Sequence, residues 1–235
     1  MRKLFLIVAL FCASPAWGAI AFVGASSTCG TWSSGTSLTV TYTSAGGHQI
    51  LVGVSVKPTT ATVSSVSDAG SSYGSSPLGS NNNASSYRTE LWGTTSSTAS
   101  TTFTVNFAAT PTAATACVSE YSGGSAFGAV ASGNQASGTS WVRSVTTTAA
   151  NSWAIGTVTV NASEASYTGT APTTVRTSNA GSATFQNMVA DNNSCGASGS
   201  TCSVSGTYPT SHTNSQVTVE LKLVASQQNK PPVVL

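Results

Sequence analysis

The sequence predicts an all-β protein: a two-sheet antiparallel β-sandwich, jelly-roll-like in character. Three observations carry this. Apolar residues recur at every second position in several separate runs, and no stretch shows an apolar stripe at helical spacing. The runs are divided by Gly-, Ser- and Asn-rich segments such as "TSAGGH", "DAGSSYGSSPLGSNNN" and "ADNNSCGASG". Alternation of this kind gives a strand one buried and one solvated face, and the intervening residues are turn formers.

Taken in order, "IAFV" at 20–23 opens the series as a short apolar strand. "SLTVTYT" sets Leu38, Val40 and Tyr42 on one face. "QILVGVSV" at 49–56 is apolar at nearly every position up to Val54, which suits a central strand covered on both sides. Residues 61–67 and 87–93 follow, and "TTFTVNF" then aligns Phe103, Val105 and Phe107. Further strands are predicted at 115–121, 140–146, 152–160, 173–176, 184–189 and 202–208. "SQVTVELKLV" closes the series, with Val217, Val219, Leu221 and Leu223 opposed to Gln216, Thr218, Glu220 and Lys222. About a dozen short strands with such turns imply two packed sheets in one domain, residues 19–225. No internal repeat is strong enough to divide it. Residues 226–235 read as a flexible tail, since Pro231-Pro232 blocks further strand pairing.

The opening "MRKLFLIVALFCASPAWG" combines Arg2 and Lys3, an apolar run from Leu4 to Cys12 and a small-x-small site at Ala16-Trp17-Gly18. It reads as a secretory signal peptide, 1–18, so the expected location is secreted or at the cell surface. Phe11 stands where a lipidation motif needs a small residue before Cys12. No later window is long and apolar enough for a membrane span.

Charge is scarce, 6% of residues. Without Arg2 and Lys3, six of the eight basic residues remain against six acidic ones, a formal charge near zero. No Lys/Arg cluster marks a nucleic-acid or anionic-membrane partner. Four cysteines remain beyond the leader. Cys195 and Cys202 bracket a Gly/Ser loop that closes easily, leaving Cys29 to pair with Cys117. No Cys-x-x-Cys pair or neighbouring histidine supports zinc.

Three stretches, "VSSVSDAGSSY" (63–73), "TELW" (89–92) and "VSEYSGG" (118–124), together resemble an uncharacterised jelly-roll-like β-sandwich module of secreted bacterial and phage-associated surface proteins. The resemblance covers about the first half of the exported chain. It implies an extracellular module associated with adhesion or polysaccharide-related proteins, and it brings no catalytic residues with it.

The candidate site residues fall into three groups. Trp32, Tyr73, Tyr87, Trp141 and Tyr167 lie in or near predicted loops and strand ends, where their rings could stack on the C–H faces of a sugar while Asn, Ser and Thr supply hydrogen bonds. Set against this, Trp and Tyr also fill sandwich cores. Glu90 and Glu120 lie on predicted strands and are the carboxylate pair a glycoside hydrolase would need, although the preferred reading is local satisfaction, Glu90 by an ion pair with Arg88 or Arg143 and Glu120, on an apolar face, by hydrogen bonds or an arginine. Asp68 and Asp191 are predicted to lie in loops rich in side-chain and carbonyl oxygens that suit calcium, the one cofactor considered, but Asp in such settings more commonly caps its own turn. A serine hydrolase built on His48 or His212 lacks the Gly-x-Ser-x-Gly elbow. The function expected is a non-enzymatic carbohydrate-binding or adhesion module whose partner is a polysaccharide or surface glycan. The alternatives are a self-assembling surface or matrix subunit, with uncharged strand edges or a donated N-terminal strand, and a glycoside hydrolase using Glu90 and Glu120.

Overall fold

In the computed structural model the described residues are 19–223, apart from 85, 96 and 181–184. The signal peptide and the tail predicted from sequence lie outside them. The period-two runs become strands: β1 (Ala21–Ala25), β2 (Gly30–Thr31), β3 (Ser37–Ser44), β4 (Gln49–Lys57), β5 (Val63–Ser67), β6 (Gly79–Asn83), β7 (Tyr87–Thr94), β8 (Ser100–Phe107) and β9 (Ala113–Ser122). The series continues with β10 (Gly124–Thr146), β11 (Trp153–Val160), β12 (Thr168–Gly169), β13 (Thr173–Ser178), β14 (Gln186–Asn192) and β15 (Thr201–Leu223). All pairings are antiparallel, and the architecture is an all-β sandwich.

Pairing in the first half is nested. β1 pairs with β9, β3 with β8 and β4 with β7, first with last and inward from there. Alternate pairs fall into two sheets. Sheet A has the order β1-β9-β4-β7-β6, with β2 on β9, and sheet B has the order β3-β8-β5. A long antiparallel ribbon wrapped in this way is a jelly roll. β1 is integrated into its own sheet, so the hydrophobic N-terminal strand is not left over for donation. Leu38, Val40, Phe103 and Val105 of sheet B close on Ile50, Val52, Val54 and Trp92 of sheet A to form one core.

The second half repeats this plan. Sheet C runs β10-β15-β11-β14-β13, matching β1-β9-β4-β7-β6 strand for strand. β10 and β15 pair from Gly124↔Leu223 to Thr146↔Thr201, whereas β11 pairs with β15 only between Asn214 and Leu221. Beyond the irregularities between Gln135 and Ser140 the two strands leave sheet C. Residues 138–146 and 201–207, joined by β12, lie as an outer ribbon across its far face and stand where β3, β8 and β5 stand in the first half. There Trp141, Val145, Val204 and Tyr208 pack on Ala154, Val158, Met188 and Ala190. The chain is therefore a stack of four layers: sheet B, sheet A, sheet C and the outer ribbon.

Sheets A and C meet through Leu51, Leu91 and Cys117 on one side and Ile155, Val189, Val217, Val219 and Leu221 on the other. The contacts are pseudo-symmetric. β4 lies on β14 as β11 lies on β7, β9 on β14 as β15 on β7, and β6 on β15 as β13 on β9. That is the pattern of an isologous two-fold interface, here within a single chain. Five strand regions among the described residues escape the sequence reading: β2, β6, β12, residues 124–139 of β10 and residues 209–214 of β15. Residues 124–139 are rich in Gly, Ala and Ser, and β6 reads "GSNNN", so neither shows apolar alternation. Backbone ladders order both, with Asn81 Nδ2 adding bonds to Asn134 and Ser215 at 2.7 Å.

Candidate functional site: a hydroxyl-lined groove on the outer sheet

The carboxylates are occupied by the fold. Glu120 is 1% exposed and faces sheet B; it accepts hydrogen bonds from Tyr42 Oη at 2.6 Å and Ala45 N at 3.0 Å, and lies 2.5 Å from His48 Nδ1. Glu90, also 1% exposed, accepts from Arg88 Nε at 2.6 Å, Trp92 Nε1 at 2.8 Å and Val63 N at 3.3 Å. Opposite them on β4 stand Ile50 and Val54, and β4 lies between the two carboxylate strands. Four residues along and two strand spacings across separate them by roughly 16 Å. A hydrolase pair needs about 5 to 9.5 Å, so the predicted alternative of Glu90 and Glu120 acting together does not fit this register. The histidines are drawn to glutamates rather than aspartates, His48 to Glu120 and His212 to Glu164 at 2.7 Å.

The two aspartates are also spoken for. Asp191 lies within β14, not in a loop, and its carboxylate takes a bidentate pair of bonds from Arg176 at 2.6 and 2.9 Å and one from Tyr121 Oη at 3.0 Å. Burial pushes its pKa up, and these partners only partly offset the rise. Asp68 caps its turn, accepting from Gly70 N, Ser71 N, Ser71 Oγ and Tyr73 Oη at 2.7 to 3.0 Å. Its partial burial works to raise its pKa, but those bonds hold it below the ordinary carboxylate value. Among the described residues no group of three or more His, Cys, Asp or Glu side chains comes together to hold a metal ion.

The five aromatic residues expected to form a binding platform turn inward. Trp141 is 0% exposed, Tyr87 2%, Tyr73 5% and Tyr167 9%, and Trp32 packs against the first core with Nε1 bonded to Gly35 O. The reason is the wrapped topology. Strand ends and turns that look exposed in sequence face another layer: Trp141 points from the inner face of the outer ribbon onto sheet C, Tyr73 donates to Asp68, and Tyr87 meets Phe185 edge to face at 5.8 Å. Four of the five therefore present no ring face to a ligand.

A groove of about 560 Å³ opens on sheet B instead. Seven of its ten lining residues carry hydroxyls: Thr43, Ser44, Ser67, Ser100, Thr101, Thr102 and Thr104. Thr43, Ser67, Thr102 and Thr104 come from the polar parity of strands whose other parity forms the core, whereas Ser44 and Thr101 stand on the apolar parity at the strand ends and Ser44 and Ser100 are buried. Thr39, Thr104 and Ser67 lie in one cross-strand row and Thr41 and Thr102 in the next. Among the described residues the hydroxyls of Thr43, Ser67, Thr102 and Thr104 have no hydrogen-bond partner within the protein, so they remain free for a ligand. Asp68 at the rim is the one ionisable lining residue, already bonded as described. The readable signal was the Thr at every second position in "TVTYT" and "TTFTVN", opposite the apolar positions.

Both cysteine pairings expected from sequence are present, Cys29–Cys117 and Cys195–Cys202, and two disulfides are consistent with an extracellular environment. Among the described residues no helix is long and apolar enough to cross a membrane. Fold and surface define the class as a disulfide-bonded tandem jelly-roll sandwich. No family model, curated protein or solved structure matches this chain.

Proposed function

We propose that the protein is an exported, non-enzymatic β-sandwich that binds a neutral polysaccharide or surface glycan and acts in adhesion. The observation that carries this is the sheet B groove, whose unspent hydroxyls are arrayed on a rigid sheet with a nearly uncharged lining. Hydroxyl arrays exchange hydrogen bonds with a neutral polyol at little desolvation cost, and strands hold them in fixed spacing. The leader-like start of the chain and the resemblance carried by 63–73, 89–92 and 118–124 support an extracellular setting. Those three motifs hold Asp68, Glu90 and Glu120, whose carboxylates are bonded within the fold and are not offered as ligand contacts.

The test is a binding screen against neutral and charged polysaccharides with the chain from Ala19, with and without calcium, comparing wild type with Thr102→Ala/Thr104→Ala. Binding to a neutral polysaccharide that falls at least tenfold in the double variant, at unchanged melting temperature, supports the groove. Binding indifferent to these substitutions removes it. One observation favours a second reading, a self-assembling surface subunit: β3, "SLTVTYTS", is an edge strand of sheet B with no charged residue to discourage pairing. Concentration-dependent assembly without glycan binding would favour that reading.

A further inference from the structure

The repeat of the fold places a second hydroxyl-bearing face at the far end of the molecule. On the outer ribbon the residues that do not enter the core are paired across strands, Ser140 with Thr207, Ser144 with Ser203 and Thr146 with Thr201. The Ser144 and Ser203 hydroxyls bond each other at 2.7 Å and Ser140 Oγ accepts from Gln135 Nε2 at 3.3 Å, each keeping further hydrogen-bonding capacity, while those of Thr146, Thr201 and Thr207 have no partner among the described residues. The paired residues alternate with the buried Trp141, Val145, Cys202 and Val204, so they point away from sheet C. Between the rows stands Val142, 43% exposed and paired with Ser205, which offers C–H surface of the kind that lies against a sugar ring. None of these outward residues is ionisable, as none of the free hydroxyl-bearing residues of sheet B is.

Resting on the glycan-binding reading above, we propose that the chain is bivalent. The outer face of the ribbon is a second site for the same neutral glycan chemistry, and one molecule bridges two polymer strands. The occupant follows from the charge of the face: a surface with hydroxyls and no ion complements a neutral polyol and gives an anionic or cationic polymer nothing to pair with. The bridging follows from the layer order. Sheet B and the outer ribbon are the two outermost of four layers, so their free faces point in opposite directions. Three interlayer spacings put them about 30 Å apart. A single extended glycan lying on one face does not reach the other, so two strands are engaged. Simultaneous engagement of two sites raises apparent affinity for a surface by about 10² to 10⁴ over either site alone.

The experiment uses the whole chain from Ala19 and three neutral soluble polysaccharides, laminarin, xyloglucan and galactomannan. Wild type, Thr102→Lys/Thr104→Lys on sheet B and Ser144→Lys/Ser203→Lys on the ribbon are compared by light scattering of the mixtures and by retention on the immobilised polymer. All four positions point outward, and alanine pairs at the same positions serve if either lysine variant melts lower. The expected result is that wild type cross-links at least one polymer, and that each single-face variant still binds soluble oligosaccharide but loses scattering and about 10²-fold in retention. Binding abolished by the sheet B variant and untouched by the ribbon variant, without cross-linking by wild type, overturns bivalency and leaves the first groove standing. No binding to any of the three polymers by wild type overturns both.

Discussion

Glu120 and Glu220 occupy the same position in the two jelly rolls. Glu120 stands opposite Ile50 on the central strand of sheet A, and Glu220 opposite Ala154 on that of sheet C. Each faces away from the interface between the sheets and accepts a backbone N–H from the loop entering that central strand, Ala45 N and Ala149 N, both at 3.0 Å. The surrounding donors differ, Tyr42 and His48 for one and Thr148 for the other, but the carboxylate performs the same task of ordering a loop over a sheet end. In a chain with six acidic residues both glutamates stand where backbone donors need an acceptor.

Removing the Glu220 carboxylate leaves Ala129 N, Thr148 N and Ala149 N without their acceptor. Glu220→Ala is expected to cost roughly 2 to 4 kcal/mol, and Glu220→Gln less, because the amide still accepts at one oxygen. Burial works to raise the Glu220 pKa, but the bonds from Thr148, Ala129 and Ala149 outweigh it and hold it at about 2. An unfolded glutamate titrates near about 4.3. The folded value is the lower one, so this stabilisation is complete above the unfolded value and disappears as pH falls from about 5 to about 2. Asp68, also lowered, acts in the same direction. Thermal melts from pH 7 to pH 2 should show the gap between wild type and Glu220→Gln narrowing below about pH 4. A gap constant with pH would mean that the carboxylate charge contributes nothing.

The interface between the sheets tolerates only one arrangement at its pseudo-dyad. Gly53 and Thr157 are equivalent in the two halves, and they face each other. A Cβ on Gly53 would meet Thr157 Oγ1 at 2.5 Å and Val189 Cγ2 at 3.0 Å, while Asn187 Nδ2 donates to Gly53 O at 2.8 Å. Gly53→Thr is expected to destabilise by about 1 to 3 kcal/mol through overpacking. Gly53→Thr combined with Thr157→Gly should recover part of that loss, since the volume is restored on the opposite side. Denaturant melts of the two single variants and the pair form a double-mutant cycle, and strict additivity would show that the two positions do not compete for one space.

The first sandwich was the more legible half for a physical reason. In β3, β4, β8 and β9 the apolar residues fall at strand period or run continuously, because sheet A is covered on both faces and sheet B on one. In β10 the residues before Gly138 are mostly Gly, Ala, Ser and Asn, and only the ladder with β15 tells that they are a strand. The repeat of topology leaves few identities behind: Glu120 with Glu220, Ala45 with Ala149, Val54 with Val158 and Val56 with Val160 share a register and little else around them does. Nesting of first with last strands spans a hundred residues, a distance over which local pattern carries no pairing information. The buried fate of Tyr73, Tyr87, Trp141 and Tyr167 follows from that same long-range wrapping, and it moved the candidate site from the rings to the hydroxyls on the solvated parity.

Arg176 pins the two jelly rolls together, and its removal should reveal the charge it neutralises. Its guanidinium pairs with Asp191 of β14 and lies 4.2 Å from the ring centroid of Phe22 on β1, while Tyr121 of β9 donates to the same carboxylate. Arg176→Ala leaves Asp191, 0% exposed, charged without its cationic partner, which costs about 3 to 5 kcal/mol near neutral pH. The sign of the pH dependence is opposite to that of Glu220. Burial already raises the Asp191 pKa in the wild type, and loss of Arg176 raises it further. A carboxyl whose folded pKa lies above its unfolded value binds a proton more readily in the native state, so the variant regains stability as pH falls through that folded value. The stability difference between wild type and Arg176→Ala, measured by denaturant unfolding at pH 7 and pH 4, should therefore shrink on acidification. A difference that holds steady or widens would assign the destabilisation to lost packing against Phe22 rather than to the stranded carboxylate.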